Sequence, residues 1–240
     1  EDNGPKLLVV CGDMMDRGLE AKKMQEFMLD LHKKGELIFI RGNHEDLMLS
    51  MLDDIIYDFA PFVTMTSYHI RNGTLSTATQ LTGTGYSDFL DWPRDFVFKA
   101  KQTTFVKELI PASVDYFETP NYIFVHGWIP VKTQKDMPAH HKIGRTYEFE
   151  PEWRNADAEG WNTARWLNGM AMAELNNIRE PGKTIICGHW HTSFGHSRLA
   201  KKCSEFGEDA DFSPYYSEGI IAIDACTAHT KKVNCLVIED

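Results

Sequence analysis

Leu7-Leu8-Val9-Val10-Cys11-Gly12-Asp13-Met14-Met15-Asp16-Arg17-Gly18 begins as an apolar run and breaks into a polar loop bounded by glycines. The same change recurs at Leu37-Ile38-Phe39-Ile40-Arg41-Gly42-Asn43-His44-Glu45. Both apolar runs are too short for buried helices and rich in Val, Ile and Leu, so they read as strands over residues 7–11 and 37–40. Residues 19–34 between them have the spacing of an amphipathic helix. In open parallel sheets, ligands sit in the crevice beyond the carboxyl ends of the strands, and both polar loops fall there.

Outward from this unit the pattern repeats. Residues 122–125 read as a third strand ending at His126-Gly127, and residues 184–187 as a fourth ending at Gly188-His189-Trp190-His191. Residues 46–58 and 161–178 suit helices, residues 137–154 a charged, proline-punctuated loop, and residues 219–224 and 233–238 two closing strands. Residues 67–86, rich in Thr, Ser and Gly, read as a loop before further helix, so that residues 67–109 form a helical and loop excursion over the rim of the site. At 240 residues, with neither a repeat nor a low-complexity linker, the expectation is one α/β domain spanning residues 1–240.

Composition narrows the classes of function. Hydrophobic content of 42% and charged content of 25% belong to ordinary globular chains, and no apolar run approaches the roughly 18 to 20 residues of a membrane span. A net charge of -10 argues against broad binding to nucleic acid, so an anionic substrate must be drawn by arginine and bound cations. Five cysteines, odd in number and without CxxC spacing, read as reduced core residues and favour the cytoplasm.

The strand ends carry the chemistry. Asp13 can offer one carboxylate oxygen to each of two cations, which two-metal hydrolases hold about 3.5 to 4 Å apart. Asn43 brings a neutral oxygen, and His126 and His189 bring imidazole nitrogens, a mixture suited to Mn, Fe or Zn rather than Ca. His44 follows a ligand and so points elsewhere, toward substrate, where it can protonate the leaving oxygen of a phosphate ester. Asp16 can orient and charge it. Arg17 has the planar fork that matches phosphate oxygens. Each pattern alone is ordinary turn chemistry; the concurrence of four strand ends carries the reading.

Gly-Asp-x-x-Asp-Arg-Gly, Gly-Asn-His-Glu, the His-Gly strand end and the Gly-His strand end together resemble the metal-dependent phosphoprotein phosphatases of the calcineurin-like metallophosphoesterase superfamily. The resemblance implies a β-sandwich core flanked by helices and two divalent cations, manganese first, with iron or zinc as alternatives. It also implies hydrolysis of phosphate monoesters by a metal-bound water, with a phosphorylated protein or small phosphoester as partner. By the same resemblance Asp13 bridges the cations, Asn43, His126 and His189 complete one of them, His44 with Asp16 is the acid pair, and Arg17 binds phosphate. Asp16 favours the serine/threonine phosphatase type over dinucleoside tetraphosphatases, which typically replace it; a nucleotide hydrolase and a catalytically silent binding module are the alternatives. Arg165 stands where the family's second phosphate-binding arginine comes from, or is a helix-surface arginine. His191 serves a first cation, as in superfamily members ending Gly-His-x-His, or a hydrogen bond. The family's opening Gly-Asp-x-His-Gly strand has no match before Asp13: the expectation, from the start at Glu1, is a segment removed or left out of this chain, the alternative a protein without a complete first site.

Overall fold

In the computed structural model, which describes residues 6–57, 69–133 and 147–239, the chain divides into two compact units, Glu1–Val114 and Asp115–Asp240. In the first, β1 (Leu8–Val10) pairs in parallel with β2 (Leu37–Phe39), in the register Leu8 to Leu37 and Val10 to Phe39. The connection is α1 (Ala21–Lys34), which buries Ala21 and Met28 and stops at Gly35. There a left-handed backbone (φ 71°) lets the Gly35 N–H reach the carbonyls of His32 and Leu31. His32, Lys33 and Lys34 in the last turn complement the helix dipole. Past β2 the chain turns directly into α2 (Asn43–Tyr57), and Ile40 extends the ladder by a parallel bridge to Val114.

The helices Thr74–Thr82, Tyr86–Asp91 and Pro93–Gln102 add to the core of this unit, as do Phe105, Leu109 and Ile110. Leu75, Ala78, Leu81, Phe89, Phe96 and Val97 pack with Met28, Phe39, Met48 and Leu52. The loop expected over residues 67–86 is therefore helical from Thr74 to Thr82. Its hydroxyls do not drive it into turns, because they find acceptors: Thr79 donates to the Ser76 carbonyl and Thr82 to the Ala78 carbonyl, while Thr74 and Thr77 donate outside the helix.

The second unit holds a five-stranded mixed sheet, with β3 (Phe117–Glu118), β4 (Tyr122–Val125), β7 (Thr184–Cys187), β8 (Tyr215–Ser217) and β9 (Ile220–Ala222) in the order β3-β4-β7-β9-β8. The three central strands are parallel and both edges antiparallel. Val125 stands level with Cys187, and Cys187 with Ala222, so the segments after β4 and β7 leave the sheet side by side. A separate antiparallel pair joins β5 (Val131–Thr133) to β6 (Tyr147–Phe149). Trp128, Trp153 and Trp161 pack with Ile123, Val125, Ile185 and Ile220 in the core.

Three expectations change here. Residues 161–178 are not one helix: Ala158–Arg165 ends at Trp166, and Asn168 caps a second helix, Gly169–Leu175, by accepting the Ala171 N–H. Residues 233–238 form no strand; the antiparallel partner of β9 is Tyr215–Ser217, which precedes it by a tight turn at Gly219 (φ 70°). Of the cysteines, all free, Cys11 and Cys187 are buried but Cys235 is exposed. The charged loop over residues 137–154 falls mostly outside the described residues. Among the described residues no helix is long and apolar enough to cross a membrane.

An ion-pair network fastens the edge of the large sheet. Arg154 donates to both Glu118 oxygens (2.9 and 2.6 Å) and to Glu180 (2.9 Å), lies over the Trp153 ring, and Lys183 reaches Glu118 at 2.8 Å. The Arg154 hydrogen bond, aided by Lys183 and opposed by burial, holds the Glu118 carboxyl down at about 2. A depressed carboxyl stabilises the fold above its unfolded pKa, and that contribution is lost as the pH falls from about 4.5 through about 2. Glu118→Gln is expected to destabilise by about 1–2 kcal/mol at neutral pH, a value discounted for partial exposure. In urea melts the gap to wild type should narrow below pH 4.5; a gap that stays constant with acidification would assign the loss to packing instead.

Candidate metal and phosphate site

Within the first unit the two motif loops are tied together by one buried carboxylate. Glu45, in the first turn of α2, accepts the backbone N–H groups of Gly42 (2.7 Å), Asp13 (3.0 Å) and Met14 (3.3 Å). Sequence reasoning gave Glu45 no role, although an acid three residues after a glycine at a helix start is itself a capping signal. A side chain at Gly42 would put its Cβ 2.6 Å from the Asp13 nitrogen and 2.7 Å from the Glu45 carboxylate, so only glycine allows this approach. Asp13 (φ 55°) and Arg17 (φ 67°) both hold left-handed backbone, a cost that the surrounding bonds maintain.

Asp13 Oδ1 accepts the backbone N–H of His44 at 3.0 Å, leaving its other oxygen 3.9 Å from His44 Nε2. Asn43 is buried on the first turn of α2. His44 Nδ1 lies 2.6 Å from Asp16 Oδ2. Burial by itself lowers the His44 pKa, but the Asp16 hydrogen bond with the charges of Asp13 and Asp16 outweighs it, Arg17 opposing, and the net direction is upward. Arg17 is exposed, with one N–H of its guanidinium donating to Asn72 Oδ1 at 3.2 Å. Thr74 and Thr77 complete the surroundings of Asp16, at 2.7 and 2.6 Å. Neither was singled out from sequence; the legible sign was the polar stripe Thr74, Thr77, Gln80 at helical spacing.

Within the second unit, His126 and His189 are brought together by the level ends of β4 and β7. The His126 carbonyl accepts the Gly188 N–H at 2.8 Å, and His126 Nε2 faces His189 Nδ1 at 3.2 Å. His189 too is left-handed (φ 65°). Two nitrogens bound to one cation at about 2.0–2.1 Å stand roughly 3.0–3.4 Å apart, so this pair fits a shared borderline metal. Gly127 lets the strand end press on the helix Ala158–Arg165, where an added Cβ would meet the Ala164 and Arg165 carbonyls at 2.6 Å. Arg165 is buried at the end of that helix, not on its surface, and its guanidinium pairs with Asp115. His191 is engaged with its own unit: Nδ1 lies 2.8 Å from Ser193 Oγ, which donates to the Glu205 carbonyl, and Nε2 is 3.7 Å from the Glu205 carboxylate. Burial pulls its pKa down against Glu205 and Asp224. The exposed rings of Trp166 and Trp190 flank His189, each about 6.0 Å from it.

Among curated proteins none matches the chain. The family model of the calcineurin-like phosphoesterases (Metallophos) matches residues 1–193. Spanning most of the 240 residues and both strand-end motif pairs, that match means that the chain belongs to the calcineurin-like phosphoesterases, metal-dependent hydrolases of phosphoesters.

Proposed function

We propose that this calcineurin-like phosphoesterase hydrolyses phosphate monoesters of alcohols, in the manner of a serine/threonine protein phosphatase. The observation that supports it most is the 2.6 Å pairing of His44 with Asp16, next to the exposed guanidinium of Arg17. A phosphoseryl or phosphothreonyl group leaves as a poorly stabilised alkoxide, and an oriented imidazolium is the group that such a departure needs.

In this reading the 240 residues act as one metallophosphoesterase domain. Asp13, Asn43, His126 and His189 would hold one divalent cation, and Asp13 with His191 would serve a second. Manganese is the first choice and iron or zinc the alternatives. When bound, the cations lower the pKa of a water and neutralise phosphoryl oxygens. The chain's own residues do the rest. Arg17 and Arg165 orient the phosphate, His44 Nε2 gives its proton to the departing oxygen, and Asp16 holds Nδ1 so that the imidazole keeps that direction. With a net charge of -10 the partner is a phosphorylated protein or small phosphoester rather than nucleic acid, and the free thiols suit the cytoplasm.

The test is a substrate panel on manganese-loaded protein: a phosphoseryl peptide, diadenosine tetraphosphate and a 2′,3′-cyclic nucleotide. The highest kcat/KM is expected on the peptide. A preference for either nucleotide moves the reading to a nucleotide hydrolase, and no hydrolysis of any of them, with metal content well below two, moves it to a silent binding module.

A further inference from the structure

The helix Thr74–Thr82 carries three polar residues at three-residue spacing, and all three are spent on the loop that follows β1. Thr74 Oγ1 donates to Asp16 Oδ2 at 2.7 Å and Thr77 Oγ1 to Asp16 Oδ1 at 2.6 Å. Gln80 continues the stripe, accepting the Ala21 N–H and donating to the Gly18 carbonyl, both at 3.0 Å. The opposite side of the helix, Leu75, Ala78 and Leu81, is anchored in the core. Gly73 (φ 87°) brings the helix start so close that a Cβ there would lie 2.6 Å from the Arg17 nitrogen. Both threonines are wholly buried, and the Asp16 side chain is only 5% exposed.

A buried carboxylate has about four lone-pair directions, and its rotamer is set by which donors occupy them. His44 takes one direction on Oδ2; the hydroxyls take another on Oδ2 and one on Oδ1, so both oxygens are pinned from the helix side. An Asp left with His44 alone could turn about χ2 and carry the imidazole with it. We propose that Thr74 and Thr77 are positioning residues for the phosphoesterase reaction: their hydroxyls hold Asp16 in the rotamer that keeps His44 Nε2 directed at the leaving oxygen. The inference rests on the reading of His44 as the acid, and its test separates the two.

Thr74→Val and Thr77→Val keep shape and remove the hydroxyl; Thr74→Ser and Thr77→Ser restore it. On manganese-loaded full chain, each Val variant is expected to lose about 10-fold in kcat on a phosphoseryl peptide, a fraction of the 10²–10⁴ available to a general acid. On p-nitrophenyl phosphate, whose leaving group needs no proton, the loss should stay within about 2-fold, with KM unchanged and the Ser variants near wild type. A second readout needs neither metal nor turnover: the downfield imidazole N–H proton resonance of His44, assigned by its disappearance in His44→Gln. It should persist in metal-free wild type and Ser variants and shift or broaden in the Val variants, singly or together. Equal losses on both phosphates, or an unmoved resonance, would overturn the positioning role. If wild type hydrolyses neither phosphate, the proposed function falls, while the resonance still decides whether the threonines set His44.

Discussion

Asp13→Asn is expected to leave a folded protein that has lost at least about 10³-fold in kcat/KM, together with bound manganese. The substitution is nearly isosteric, and the left-handed backbone at this position (φ 55°) is one that Asn adopts readily, so the loop is not forced to move. The Asn oxygen can still accept the His44 N–H, now made at 3.0 Å, and the Glu45 bonds to the loop backbone do not involve the side chain at all. What disappears is one negative charge and one ligand oxygen, the two properties a bridging position requires. The Tm should therefore stay within a few degrees of wild type while metal analysis after dialysis shows the deficit. The magnitude follows from losing the cations whose charge would complement the phosphate, since removing even a single oxyanion donor costs about 10²–10³. Full metal content with wild-type turnover would remove Asp13 from the site.

The contrast between what this loop reveals in sequence and what it conceals is physical. The strand-end motifs were legible because runs of Val, Ile and Leu too short for buried helices favour strands, and the polar residues following them then sit at strand ends. The His44–Asp16 pair followed from the same local logic. Asp16's other partners did not, because Thr74 and Thr77 are 58 and 61 residues away, and in isolation a run of Thr, Ser and Gly favours turns. Tertiary acceptors reverse that preference. Residues 233–238 fail in the opposite direction: their apolar, β-branched run fits a strand, yet β9 already has Tyr215–Ser217 on one side and β7 on the other, so pairing leaves no place for them there. The break between Arg165 and Gly169 is a third case. Asn168 outcompetes helical continuity by capping the helix Gly169–Leu175, a choice that apolar periodicity over residues 161–178 cannot register.

His44→Ala should separate chemistry from metal binding. The bond that His44 gives to Asp13 comes from its backbone and survives the substitution. Asp16 loses one partner but keeps two hydroxyl donors, so its buried carboxylate is not abandoned, and a stability loss of only about 1–3 kcal/mol is expected. Turnover of a phosphoseryl peptide should nevertheless fall by about 10²–10⁴, the scale of a general acid, at unchanged metal stoichiometry. Adding Thr77→Val to this background supplies the decisive comparison. If the threonine acts by aiming His44, removing the imidazole first makes the second substitution silent in kcat, a coupling equal to the whole single-mutant effect. If the two losses instead multiply, the threonine acts on something other than the imidazole, and wild-type turnover in His44→Ala alone would show that no proton from this side chain reaches the leaving group.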